Sequence, residues 1–291
     1  MIYCVLLMAS IVLCACKSTL YNSYAKKNTP SINETFYFNA ISYGVAILIA
    51  LAGAIFSKET ISLTTVLCAL FYAMIVLSLQ TVSITAMRVG AMSITAICVM
   101  YGMIIPSVAG PIFWREPIGV LQMPGIALML VSLWFLKGET PAEKNKGEKK
   151  WMILALVAFF LSGMAGVMEK IHQSTGAKEE RMSFVFVACL FMFAFSLFAK
   201  WIVPKPKEKV GRQRLPWLAL PSGLVIGFYS MVNLTLSGKL NSIIYYPIAN
   251  GGAMILTVLV SVIVFKERFD RRKVIGTIMG LIGILLLSLP I

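Results

Sequence analysis

Tyr229, Asn233 and Ser237 recur every four residues in a run that is otherwise apolar. Tyr246, Asn250 and Thr257 share a face of the next such run, with Tyr245 beside them. On a helix this spacing stacks side chains along one face. Their hydroxyls and carboxamides donate and accept hydrogen bonds without carrying charge, so the chemistry they permit is recognition of a polar solute. Bond making asks for more: a metal cluster, or a nucleophile beside its base. One His and 12 acidic residues, nearly all of the latter in loops, supply no such constellation. We therefore expect no enzyme, no catalytic residue, no metal and no cofactor.

Pro247 interrupts the second stripe and removes a backbone donor, while "NGG" (250–252) permits close backbone approach. An interrupted helix is expected there, the device on which transporters build midplane sites. Asn233 and Asn250 lead the candidates. Interhelical hydrogen bonds worth about 0.6–2 kcal/mol each are the competing account of the same residues. The first half of the chain has Val82 and Val99 where the second has these two Asn. Its own candidates are Gln80, Thr81, Thr85 and Tyr101, with Pro106 nearby, and for Gln80 and Tyr101 core packing is preferred to ligand contact.

Charges inside apolar runs are few. Lys17 sits near the end of the first run, Glu169 and Lys170 near the end of the sixth. The favoured reading has each reaching out to the interface. The functional one makes Lys17 or Lys170 a counter-charge for an anionic or zwitterionic solute and Glu169 a gate or proton-coupling group. His172 lies just beyond and reads as incidental.

The elements that carry these residues follow from composition. Hydrophobic residues make up 59% of the 291 and charged ones 13%, where soluble domains carry about 25%. Uncharged stretches predict ten transmembrane helices at roughly 2–22, 35–56, 61–86, 91–113, 118–136, 151–171, 182–203, 216–238, 243–265 and 273–290. Trp114, Trp151, Trp201 and Trp217 fall at proposed ends, as interfacial rings should. The charged linker 137–150 separates a first five-helix unit (1–136) from a second (151–291). All six Cys lie in apolar runs and read as small buried residues rather than a disulfide framework.

Net charge is +14. It reflects topology rather than nucleic-acid binding: 20 of the 26 Lys and Arg fall in alternate loops, which the positive-inside rule makes cytoplasmic, leaving both termini outside. "KERFDRRK" (266–273) is then a cytoplasmic turn lying against anionic lipid.

The halves align at a constant offset of 151 residues. "IFWRE" (112–116) matches "IVFKE" (263–267), Gly125 matches Gly276, and Arg88 matches Lys239. Five helices is an odd number, so the second copy enters the membrane from the opposite side, an inverted repeat. The arrangement, with a Glu closing the fourth helix of each half and a Gly-containing helix after it, resembles the drug/metabolite transporter superfamily, in particular its EamA-like ten-helix branch. The resemblance implies a cavity lined by helices 1, 3, 4, 6, 8 and 9 of the ten, and two halves that rock to alternate access. It also implies structural roles for Glu116 and Glu267 at helix corners. The paired-Asn motifs of nucleotide-sugar transporters are missing. So is the mid-helix carboxylate that small multidrug transporters use, which makes cationic drug efflux the weaker alternative.

The reading is an all-α integral membrane protein of a bacterial plasma (inner) membrane. It is expected to act as a secondary transporter for a small polar metabolite, an amino acid or similar zwitterion favoured. Alternatives are a flippase for a lipid-linked small headgroup and a membrane scaffold. Membrane lipids are the expected partners besides the solute, and "GTIMG" (276–280) offers a small-residue face through which helix 10 would either form a homodimer or pack within the chain.

Overall fold

The computed structural model describes residues 2–28, 31–90, 92–115, 119–136, 146–175, 177, 179–204, 215–237, 242–266 and 271–288. Among them every regular element is a helix: α1 (Ile2–Asn28), α2 (Ile32–Ser57), α3 (Leu63–Val89), α4 (Met92–Tyr101), α5 (Ile104–Trp114), α6 (Gln122–Leu136), α7 (Lys146–Ser174), α8 (Arg181–Ile202), α9 (Leu215–Ser237), α10 (Ser242–Ile263) and α11 (Arg271–Ser288). Among the described residues seven spans are long and apolar enough to cross a membrane, Met92–Trp114 counting as one. Shorter apolar stretches lie at Gln122–Ser132, Ile248–Ile263 and Val274–Leu287. The chain is a multi-pass helical membrane protein.

Two expectations are corrected. The fourth run is not one helix but α4 and α5, separated at Gly102–Met103. Pro106 has no N–H to give the Gly102 carbonyl, and Ile105 takes that carbonyl instead, in a tight i to i−3 bond of 3.0 Å. Conversely, α10 runs through Pro247 without a break. The interruption therefore falls in the first half rather than the second.

Helices in lipid gain no hydrophobic drive toward one another and associate through close packing and hydrogen bonds. At the α6–α11 crossing, a Cβ added to either Gly125 or Gly283 would come within 2.8 Å of the other's carbonyl oxygen. The break between α4 and α5 sits equally close to α7: a Cβ on Gly102 would meet Phe159 O and Gly163 N, each at 2.8 Å. Elsewhere α2 packs along α8 and α9, and the Ser42 hydroxyl donates to Ala219 O at 3.2 Å.

The remaining pairings have a regularity. α1 packs on α9 and α10, while α7 packs on α3 and on α4 and α5. α2 meets α9 as α3 meets α8, and the pairs α2–α8, α4–α10 and α6–α11 join helices that correspond under the 151-residue offset of the sequence. Arg115 and Lys266, 151 residues apart, both adopt left-handed backbone, with φ of 54° and 53°, a conformation uncommon outside glycine. The Glu that follows each of them, Glu116 and Glu267, lies outside the described residues. Gly276 is buried, and Gly280 packs directly on Tyr101, so the "GTIMG" face of α11 is turned into the chain.

Candidate functional site

α7 carries Ser162, Gly166 and Glu169 at intervals of four and three, so all three look inward. α3 runs beside it and presents Tyr72, Val76, Gln80, Ser83 and Met87 on one face. With Ser10, Cys14, Lys17 and Tyr21 of α1, Tyr229 and Asn233 of α9, and Tyr246 and Asn250 of α10, these side chains enclose a cavity of about 190 Å³. That is room for about six waters. α4 and α5 add an apolar wall of Ala96, Val99, Met100, Met103 and Pro106. The contributing helices are those the resemblance implied, joined by Tyr43 of α2 and Met192 of α8.

Glu169 is the centre of the polar network. Its Oε1 accepts from the Tyr72 hydroxyl at 2.9 Å and its Oε2 from the Tyr246 hydroxyl at 3.2 Å. The Asn233 amide reaches both oxygens at 3.4 Å. Tyr245 stands behind this wall, fully buried, and its hydroxyl donates to Asn233 Oδ1, which fixes the carboxamide with its N–H groups toward Glu169. Lys17 Nζ sits 4.3 Å from the Tyr229 ring centroid, a cation–π contact. It is near enough for its charge to act on the Glu169 carboxylate.

Neither Lys17 nor Glu169 reaches out to an interface. α1 continues to Asn28 and α7 to Ser174, past the ends that hydropathy suggests, so both residues lie deeper than expected and face inward. Glu169 is only 8% exposed. A buried carboxylate therefore faces the cavity, near the C-terminal end of α7 rather than at its middle. Lys170, one position on, points elsewhere and lies over Trp114 at 5.6 Å. Tyr101 is also outside the cavity, hydrogen-bonded to Ser132 and pressed on Gly280. Asn250 lines the cavity while donating to Tyr246 O at 2.9 Å. Ser237 ends α9, and its side chain lies outside those described. Tyr72, Tyr43, Tyr21 and Ser83 went unrecognised. Tyr72 lies eight residues before Gln80 on the same face, a stripe that the sequence does contain.

Beyond Glu169, one end of the cavity is tied by exchanged helix caps. Glu180, in the α7–α8 connection, accepts from Ser62 N and Oγ at 2.8 Å each, from Thr65 Oγ1 at 2.5 Å and from Thr60 Oγ1 at 3.0 Å, at the start of α3. Glu59, before α3, caps α8 through Met182 N and Ser183 N at 2.7 and 3.0 Å. Burial pushes the Glu180 carboxyl up, but the hydrogen bonds from Thr65, Ser62 and Thr60 outweigh it and hold the group down at about 2. His172, read as incidental, is fully buried here: its Nε2 lies 3.0 Å from Thr65 Oγ1 and its ring packs at a tilt against Phe184. Among the described residues no group of three His, Cys, Asp or Glu is placed to hold a metal ion.

Fold and cavity together define a class: a multi-pass helical membrane protein with a solute-sized chamber, mostly apolar but carrying a polar cluster around Glu169. Residues 149–289 match the EamA-like transporter family, which is part of the drug/metabolite transporter superfamily. Among curated proteins none matches. Of 28 solved chains that do match, one crystal structure aligns over 97% of this chain and 94% of its own, with a TM-score of 0.64 at 12% identity. That likeness extends the fold over nearly the whole length.

Proposed function

We propose that the protein is a secondary transporter that carries a small zwitterion through this cavity by alternating access. One observation supports the substrate class above the others: Glu169 and Lys17 place a carboxylate and an ammonium on the walls of one chamber. A charge in a low-dielectric site needs a partner, and a solute bearing both signs offers one to each. Glu169, held in place by Asn233 and Tyr246, receives the solute's ammonium, and Lys17 faces its anionic group.

In this reading the chain crosses the membrane ten times, as two inverted five-helix repeats. Support comes from the helix pairings that survive exchange of the halves, from the matched left-handed Arg115 and Lys266, and from the alternation of loop charge. Rocking of one half against the other opens the chamber to each side of a bacterial plasma membrane in turn. The test is flux of labelled amino acids into proteoliposomes. Glu169→Gln and Lys17→Gln each lower it at least about tenfold while the purified protein stays folded; unchanged flux in both variants would remove the site.

A second reading draws on the same carboxylate. Ringed by Tyr72, Tyr229 and Tyr246, Glu169 also suits an organic cation. Lys17 separates the two: Lys17→Met relieves repulsion and improves cation transport if cations are the substrate, and impairs transport if zwitterions are.

A further inference from the structure

The polar groups of the second half satisfy one another around Glu169. Two on α3 do not. Gln80 Nε2 and Ser83 Oγ both line the cavity, on residues 4% and 5% exposed, and neither has a hydrogen-bond partner among the described residues. Ser83 departs here from its neighbours: Ser78, Thr81 and Thr85 each donate to the carbonyl four residues earlier, the usual way a hydroxyl is satisfied in a buried helix. Gln80 is not free to turn away. The Tyr43 hydroxyl donates to its Oε1, which locks the carboxamide and leaves its two N–H donors unused.

Three residues apart, Gln80 and Ser83 occupy the same face one turn from each other. Buried donors held in place and left unpaired are costly in any protein. Within a chamber, an acceptor on the cargo would relieve that cost.

We propose that Gln80 Nε2 and Ser83 Oγ form a distal subsite that hydrogen-bonds an oxygen acceptor on the substrate's tail. This rests on the zwitterion reading and narrows it. Gln80 lies eight residues along α3 from Tyr72, the residue level with Glu169, so the two tiers are about 12 Å apart along the helix. Less one hydrogen-bond length at each end, about 6 Å remains for the solute. An α-carboxylate lies too close to its own ammonium to bridge that interval. The acceptor therefore belongs to the side chain, and a carbonyl or amide oxygen three or four bonds out fits. Val76, Leu79 and Met87 on the same helix, with Met100 and Met103 opposite, flank the tail and shed water from it.

The experiment compares near-isosteric solutes with and without that oxygen: L-asparagine against L-leucine, and L-glutamine against L-norleucine, by thermal shift and by proteoliposome uptake. The wild type is expected to favour the amides at least about tenfold. Ser83→Ala and Gln80→Met should erase the preference by weakening the amides, not by strengthening the apolar pair. Because Ser83 Oγ is unpaired without substrate, Ser83→Ala should leave the unliganded midpoint unchanged or raise it, which a hydroxyl with a structural partner would not do. Amide preference that survives both substitutions, or a wild type that binds all four solutes alike, overturns the subsite while leaving the zwitterion reading intact. A wild type that binds none of the four removes that reading, and the subsite with it.

Discussion

The Tyr72 hydroxyl on α3 donates to Glu169 Oε1 on α7 at 2.9 Å, so a side chain of the first half holds the carboxylate supplied by the second. In the alternating-access mechanism proposed above, their bond crosses the plane along which the halves separate. Removing the charge and removing the acceptor are then different perturbations. Glu169→Gln keeps an oxygen for Tyr72 or Tyr246 and should lower the thermal midpoint little. Glu169→Ala strands both hydroxyls and the Asn233 amide, at a cost of about 1–3 kcal/mol for an orphaned group. Unfolding of the two variants in detergent checks the order; Glu169→Ala as stable as Glu169→Gln would mean that this network does not hold the halves together.

Much of this site was legible. Tyr229, Asn233, Tyr246 and Asn250 stand out because polar groups at helical spacing in an apolar run need a reason, and their two helices both wall the cavity. Glu169 was misjudged for a physical cause: a charge just before the expected end of the sixth run, at 171, reads as one reaching for the interface, whereas packing against α3 and α10 holds it buried on Tyr72 and Tyr246. Tyr72 and Tyr43 were hidden, since a Tyr in an apolar run reads as core until the partner across from its hydroxyl is known. The break in the fourth run was hidden too. Pro106 and Pro247 look alike in sequence, and only the first has a glycine placed to let the broken turn lie against α7.

That crossing geometry makes a prediction at the second close contact. A Cβ on Gly283 would meet Met129 Cγ at 2.6 Å and Gly125 O at 2.8 Å; the Met129 side chain can shift, but the carbonyl of α6 cannot. Gly283→Val must push α11 away from α6. Overpacking of this kind costs about 1–3 kcal/mol, visible as a lower thermal midpoint, whereas Gly→Val at an outward position should show no such fall. Equal stability of Gly283→Val and the parent would mean that the helices cross elsewhere.

The division of 20 against 6 basic residues between alternate loops predicts orientation. Cys4 and Cys16 are exposed and would themselves react, so the test needs a background lacking all six native cysteines. A cysteine appended after Ile291 is then expected to label with a membrane-impermeant thiol reagent in intact cells, and one placed at Lys146 is not. The reverse pattern would turn the whole protein over.

Glu180 predicts an acid limit to stability. Its carboxyl titrates at about 2 in the folded protein, against an ordinary value of about 4.3 for an unfolded chain. The folded state therefore holds its proton less tightly, and the unfolded state takes one up first as pH falls. Linkage makes the contribution fully present above about pH 4.3, progressively lost below that, and gone once pH has passed through about 2. Because the side chain is partly exposed, solvent screens much of the effect, so the measurement should be a difference. The thermal midpoint of the parent should fall more steeply between pH 5 and pH 3 than that of Glu180→Gln, and the two should converge at the acid end. At neutral pH the variant is the less stable, because an amide oxygen replaces a carboxylate that accepts at Thr60, Ser62 and Thr65 together. Parallel curves over that range would show that the cap on α3 does not depend on the charge of Glu180.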